Sequence, residues 1–439
     1  MKVAIVGSGI SGLAAAHALS GRAEVSLFEA GSYFGGHTHT VDVTLPTRQG
    51  LVTHGVDTGF LVLNERTYPN LLKLFAELCV VTAKSDMSFS VQAFDPIHVR
   101  ALEWSGCNLN TVFAQRSNLV NGRFWGMLRD LLRFNALTTR MAHSGTEAEL
   151  TQPLGDFLRE HRFDSAFCDW YFLPMMACIW SCPTAQMLQF PVATMVRFCH
   201  NHGLLQITNR PQWWTVQGGA RQYVEKITAG IQNKHLNSPV RCIESVSATP
   251  TQQTGVRIST DAGQAYFDKL IIATHANQAL EMLAAPTSLE HDTLGAMRTQ
   301  PNRAVLHTDV SVLPKRQAAW AAWNYERAPA TVNENARVCL HYLINRLQPL
   351  PWQQPVLVSL NPARAIDPAN ILGEYDYAHP VFDQAAVAAQ GRMHLLQGQQ
   401  HRYYAGAWMG YGFHEDGLKA GLAAAKKLLA DVASQEALA

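Results

Sequence analysis

Charge is scarce in this chain: Asp, Glu, Lys and Arg make up 16% of its 439 residues and nearly cancel, leaving a net charge of +1. That balance excludes a general attraction to nucleic acid, which needs a basic surface. Long apolar runs are missing too, although apolar residues reach 47%. No uninterrupted stretch approaches the length of a membrane span, so the sequence predicts a cytoplasmic protein, or one held peripherally at the inner face of the membrane. Internal repeats and low-complexity linkers are absent, which leaves no disordered tail of any length. The eight cysteines are scattered, and the closest pair, Cys178 and Cys182, has three residues between its members. This spacing excludes a paired-cysteine zinc site; buried thiols in a reducing compartment are expected, and no metal. What remains is the composition of a well-packed enzyme, long enough for two or three domains and a large ligand.

The residues that are present near the start carry a dinucleotide fingerprint. The β-formers from Val3 to Val6 read as a buried parallel strand, and Ser11 to Leu19 as the helix it feeds. Between them Gly7 makes the tight turn, Gly9 admits a pyrophosphate to the backbone, and Gly12 lets the helix pack close to the sheet. The helix N-terminus adds aligned donors for phosphate. Glu29 closes a second apolar run, where a carboxylate accepts from the ribose hydroxyls and repels a 2′-phosphate, disfavouring NADP. Lys2 followed by small and apolar residues imitates a secretory signal, but the fingerprint explains the same positions better.

Further on, the apolar pattern predicts an α/β fold with a discontinuous Rossmann-like domain over residues 1–85, 205–298 and 398–439. A mixed sheet-and-helix substrate domain is expected over 86–204 and 299–397. Its strands are expected near 87–93, 98–104, 304–307, 338–343 and 356–360, and its helices over 124–142, 154–161 and 165–180. Residues 240–246 and 256–259 alternate as a hairpin, 267–273 reads as a parallel strand, and 401–406 as another. A final helix is expected over 416–429, with Asp416 as its N-cap and Gly417 close to a ligand.

These pieces in this order resemble the flavin-containing amine oxidase superfamily along essentially the whole chain, and the resemblance implies an amine oxidase-like FAD-dependent oxidoreductase. It places FAD against Gly7, Gly9, Ile10, Ser11, Gly12, Glu29, Ala30, Gly35, Gly36, His37 and Val240, and against Gly406, Gly412, Phe413, Asp416 and Gly417. The pair Gly35 and Gly36 and the C-terminal glycines separate FAD from plain NAD, which needs neither. His37 stands where the family often has arginine, so phosphate charge is compensated less there. No Ser-Gly-Gly-Cys-Tyr segment occurs, so non-covalent FAD is implied. The segments 173–181, 306–309, 323–325 and 377–382 are most similar to a bacterial subset often encoded beside methyltransferases of the cyclopropane-fatty-acid-synthase type. That context implies a fatty acyl or other lipid substrate, taken by hydride removal. Two other readings stay open, a peroxide-producing amine oxidase and a non-catalytic FAD-binding partner of such a methyltransferase. Catalytic candidates are His307, Asn324, Tyr325, Trp408 and Tyr411, with Asp309 and His414 as further pocket residues. The stretch from Arg123 to Phe134 sets Phe124, Leu128 and Leu131 on one helical face, either a lid or a surface that dips into a membrane.

Overall fold

The computed structural model describes residues 1–95, 100–146, 150–180, 183–203, 211–248, 254–327 and 338–438. His98, Ser181 and Cys182, which figure in the sequence reading, lie outside them. A five-stranded, wholly parallel sheet runs in the order Asn233–His235, Glu24–Phe28, Lys2–Val6, Lys269–Ile272 and Arg402–Tyr404. The central strands Lys2–Val6 and Lys269–Ile272 are almost wholly apolar because both their faces are covered, whereas the edge strand Asn233–His235 is polar and largely exposed. Val3, Ile5, Leu27, Ile271 and Tyr403 face the helices, while Ala4, Val6, Phe28, Leu270, Ile272 and Tyr404 face a three-stranded antiparallel meander.

The helix Ile10–Leu19 is buried on nearly every side, since it lies between this sheet and the long helix His414–Leu438. Small residues make that sandwich thin enough. A Cβ on Gly421 would sit 2.1 Å from the Ser11 carbonyl oxygen, and one on Gly417 would meet Ile10 Cγ2 at 2.7 Å.

A second, seven-stranded sheet runs Ile371–Pro380, Thr299–His307, Leu357–Leu360, Cys339–Leu343, Trp323–Glu326, Phe89–Asp95 and Arg100–Ser105. All neighbours are antiparallel except Trp323–Glu326 with Phe89–Asp95. Beside it stand the helices Gly122–Ser144, Leu154–Glu160, Leu173–Trp180 and Val192–Asn201, with a π-helical turn over Cys168–Phe172.

Several boundaries differ from expectation. Phe267 ends the meander strand Gly263–Phe267, and the parallel strand starts at Lys269. The last helix begins at His414, two residues early, which places Asp416 inside its first turn. The hairpin Thr40–Thr47 with Gly50–Asp57 and the strand Trp213–Val216 were not anticipated. Cys178, Cys199 and Cys339 are buried thiols as expected, whereas Cys79 and Cys107 are exposed.

The edge strand Arg402–Tyr404 is fastened by a buried ion pair. Arg402, 1% exposed, donates from Nη2 to Glu290 at 3.0 Å, and Glu290 also accepts from the Tyr404 hydroxyl at 2.5 Å and the Thr287 backbone N–H at 2.8 Å. Removing one partner strands the other charge in a dry site. Arg402→Met is therefore expected to cost about 3–5 kcal/mol, read from denaturant unfolding. A midpoint unchanged from wild type would show that the pair is dispensable.

Candidate active site

Where the strand Lys2–Val6 ends, the chain turns at Gly7 with φ +98°, a left-handed conformation, and a Cβ there would lie 2.6 Å from the Ala273 carbonyl oxygen. The Gly7 N–H donates to Phe28 O at 2.9 Å, which ties the turn to the next strand. Gly12 is packed against the same turn, its notional Cβ 1.9 Å from Gly7 O. Gly9 differs: a Cβ there meets nothing within 4 Å. It borders open space, and no side chain caps the helix that follows, so the first N–H groups of Ile10–Leu19 are free to meet an anion.

Gly35 and Gly36 both have positive φ, +125° and +58°, and fold back onto this turn. The Gly35 N–H reaches Ser8 O at 3.1 Å, and a Cβ on Gly36 would come within 3.1 Å of Gly9 Cα. Glu29 accepts from Ser8 N–H at 3.0 Å, Ser8 Oγ at 2.5 Å and Gly31 N–H at 2.8 Å. Its carboxylate thus organises its own turn as well as edging the space beyond.

That space is one cavity of about 680 Å³. Gly7, Gly9, Ile10, Ser11, Glu29, Ala30, Gly35, Gly36, His37, Val240, Gly406, Gly412 and Phe413 all line it, as do Trp408 and His414. Three expected contacts do not. Gly12 is spent on the strand-to-helix turn, and Gly417 on packing against the first helix. Asp416 is no N-cap; its Oδ2 accepts the N–H groups of Tyr411 and Phe413, each at 3.1 Å, and so closes the loop before the helix.

The catalytic candidates on the large sheet lie elsewhere. Asn324 is wholly buried and satisfied: its Oδ1 accepts from Ser90 Oγ and Ala321 N–H, and its Nδ2 donates to Ala321 O and His341 O. His307 belongs to a buried chain in which Ser359 Oγ joins it, at 2.6 Å, to His341, also at 2.6 Å, and His341 meets Glu326 at 3.0 Å. Asp309 caps the short turn after it, accepting from Ser311 N–H at 2.9 Å. Tyr325 is buried two residues past Trp323, and Trp323 is the one that reaches the cavity. Tyr411 edges a smaller hollow of about 240 Å³ beside Arg66 and Lys419. Of the five, Trp408 alone lines the main cavity, with its Nε1 donating to Thr274 O at 3.0 Å. Glu326, Cys339 and His341 bring three ligand-type atoms within 4.8 Å of one another, but hydrogen bonds among them and an Arg364 ion pair at 3.0 Å account for the cluster.

Two groups of lining residues were missed. One is a pair of imidazoles beside the expected His37: its ring lies 5.3 Å from that of His379 and 6.1 Å from that of His275. Burial, reinforced by the neighbouring imidazoles, holds His37 well below the ordinary histidine range and lowers His379 to about 4. These rings are neutral near pH 7, and His37 Nε2 is buried without a partner. His379 sits within the segment 377–382 already singled out by resemblance, which was the signal available for it. The second group is the apolar wall at the far end: Met87, Ile179, Phe198, Trp213, Trp323 and Tyr342. His202 joins it, its Nδ1 3.0 Å from Phe198 O, so Nδ1 carries the proton and Nε2 is left with its lone pair. Burial lowers this imidazole to about 4. The charged lining residues, Glu29, Arg241 and Glu281, all belong to the nucleotide end.

Comparison with known proteins agrees with this architecture. Residues 5–78 match the profile of an NAD(P)-binding Rossmann-like domain. No curated protein sequence matches the chain. Putrescine oxidase bound to putrescine is similar in structure with a TM-score of 0.66 at 15% identity, covering 98% of this chain and 99% of that one. A CLA-producing fatty acid isomerase from P. acnes gives 0.65 at 14% identity, over 97% and 98% of the two chains. Cyclohexylamine oxidase from Brevibacterium oxydans gives 0.64 at 16%, over 98% and 99%. From one end to the other, the chain has the amine oxidase-like fold, built on a Rossmann-like nucleotide domain.

Proposed function

We propose that the protein is an oxidoreductase that holds FAD non-covalently and removes hydride from a lipid-like acyl chain. The observation that carries this reading is one continuous cavity with a dinucleotide turn at one end and an uncharged, largely aromatic wall at the other. The residues present fit FAD. Gly9 leaves room at the helix start, Gly35 and Gly36 bring further backbone against it, and His37 Nε2 has no hydrogen-bond partner among the described residues. Glu29 suits the ribose and Val240 the adenine. When bound, FAD supplies the hydride acceptor.

The protein's own part is to exclude water and orient the chain. Trp323 and Tyr342, with ring centroids 5.0 Å apart and planes at 80°, wall the far end together with Phe198 and Met87. His202, which lines the cavity with the lone pair on Nε2, would accept the proton that leaves the carbon next to the one losing hydride, so that the chain becomes an alkene while the hydride goes to the flavin when it is bound. Among the described residues no carboxylate lines that end to meet an ammonium substrate, which weighs against the amine oxidase reading. An acyl chain needs none.

The purified protein is expected to be yellow, and anaerobic addition of an acyl lipid should bleach its flavin absorbance. His202→Gln should slow the bleaching by about 10²-fold. Bleaching by amines alone, with peroxide formed on re-aeration, would replace this proposal with amine oxidation. A flavin that no substrate reduces, in a stable complex with a methyltransferase, would favour a non-catalytic role.

A further inference from the structure

The helix Gly122–Ser144 is amphipathic, but its outer face is not the one its sequence suggests. Phe124 points inward, with its ring 5.9 Å from that of Trp104 and 5.8 Å from that of Phe113, and Leu128 and Leu131 are packed against the core. The residues turned to solvent are Trp125, 50% exposed, Arg129 and Leu132, which follow one another on a single helical stripe. Just before the helix, Val120 is 89% exposed and Leu119 49%. Trp125 Nε1 donates to Leu119 O at 2.9 Å and its ring lies 5.3 Å from Phe113, so these side chains form one patch. Among the described residues twelve large apolar side chains are exposed, and five of them fall between Leu109 and Leu132. That concentration is not scattered surface noise.

The charge in the same stretch has one sign. Residues 104–144 contain five arginines, at 116, 123, 129, 133 and 140, and a single acid, Asp130. Asp130 is buried, accepting from Asp164 N–H at 2.9 Å, and its Oδ1 lies 3.8 Å from Arg129 and 3.6 Å from Arg133, so the stretch keeps a net excess of four positive charges, five arginines less one acid. The outer surface therefore offers apolar tips and cations together, the pairing that suits an interface between acyl chains and anionic headgroups. The helix also packs on Val192–Asn201, whose Phe198 lines the uncharged end of the cavity. Among the described residues that end has no cation to hold a free carboxylate, which suits an acyl chain that enters it while its polar head stays outside.

We infer that this surface docks on a bilayer containing anionic lipid, and that the acyl chains which reach the cavity come from that bilayer. The identity of the substrate rests on the reading above; the docking does not. In vesicle flotation the FAD-loaded protein should float with phosphatidylcholine–phosphatidylglycerol vesicles and much less with phosphatidylcholine alone. Val120→Asp should weaken partition about 10-fold, and Arg129→Ser about 5-fold on anionic vesicles with no change on neutral ones. Both positions are exposed, and an unchanged melting temperature confirms that the variants are folded. Wild-type protein that stays at the bottom of the gradient with both vesicle types overturns the inference. So does a dimer in size-exclusion chromatography that Val120→Asp dissolves, which would make the patch a contact between proteins. Vesicle binding without flavin bleaching by lipid would sink the substrate reading alone; bleaching by dispersed lipid without vesicle binding would sink the docking alone.

Discussion

Gly9→Val is expected to leave the protein folded and strip it of FAD. The backbone at Gly9, φ −63° and ψ 177°, is extended and open to any residue, and a Cβ there touches nothing. The cost to stability should stay within about 1 kcal/mol, the difference between residues at a helix N-cap. Its methyl groups, however, would occupy the space where phosphate oxygens meet the first helical N–H groups. Losing that approach should weaken the flavin at least about 100-fold, close to 2.7 kcal/mol, measured as flavin retained per protein after dialysis. Gly12→Ala is the opposite case. Its Cβ would lie 1.9 Å from a backbone oxygen that cannot yield without opening the turn at Gly7, so the fold itself should lose about 3 kcal/mol. A Gly9→Val protein that keeps a full complement of flavin would show that the cavity does not hold its pyrophosphate there.

Acidification should unfold the protein between pH 6.5 and 4. Burial lowers His202 and His379 from 6.5 to about 4, and His414 to about 3, while the unfolded chain keeps the ordinary value. Within that window the unfolded state binds protons that the native state refuses, so stability is intact above pH 6.5 and falls as pH drops. Each such group contributes a slope of about 1.4 kcal/mol per pH unit, three together about 4. Over the 2.5 units from pH 6.5 to 4 the loss comes to about 10 kcal/mol, which unfolds a protein in the lower half of the typical stability range of about 5–15 kcal/mol. His379→Gln should flatten it by about 1.4 kcal/mol per unit. A melting temperature that holds level from pH 7 to pH 5 would mean that these rings are solvated.

The nucleotide half of the molecule was legible because its signals are local. Strand, turn, helix and acid lie within thirty residues, and Gly12 and Gly36 answer to contacts with Gly7 and Gly9 of the same segment. The far wall was not legible, since Met87, Phe198, Trp323 and Tyr342 come from four elements that only tertiary folding brings together. Polar residues inside apolar strands misled for a related reason. Asn324 and His307 look functional in sequence, yet each is satisfied by partners that appear only once the sheet is assembled. Asp416 and Gly417 show the limit of a motif: the resemblance sets both against the cofactor, but neither lines the cavity, one closing a loop and the other seating a helix. The grouping of Phe124, Leu128 and Leu131 on one face of Gly122–Ser144 was legible, but helical period alone does not say whether that stripe turns to the core or to the outside.

The contact of Gly417 and Gly421 with the first helix bears on how this protein is made. The strand Arg402–Tyr404 and the helix His414–Leu438 complete a sheet whose other strands leave the ribosome far earlier. Until they arrive, one face of Ile10–Leu19 and the free edge of Lys269–Ile272 stand bare, an invitation to aggregation. The nascent chain thus has to be shielded through most of its synthesis, and a stalled or prematurely terminated product is a client for chaperones and proteases.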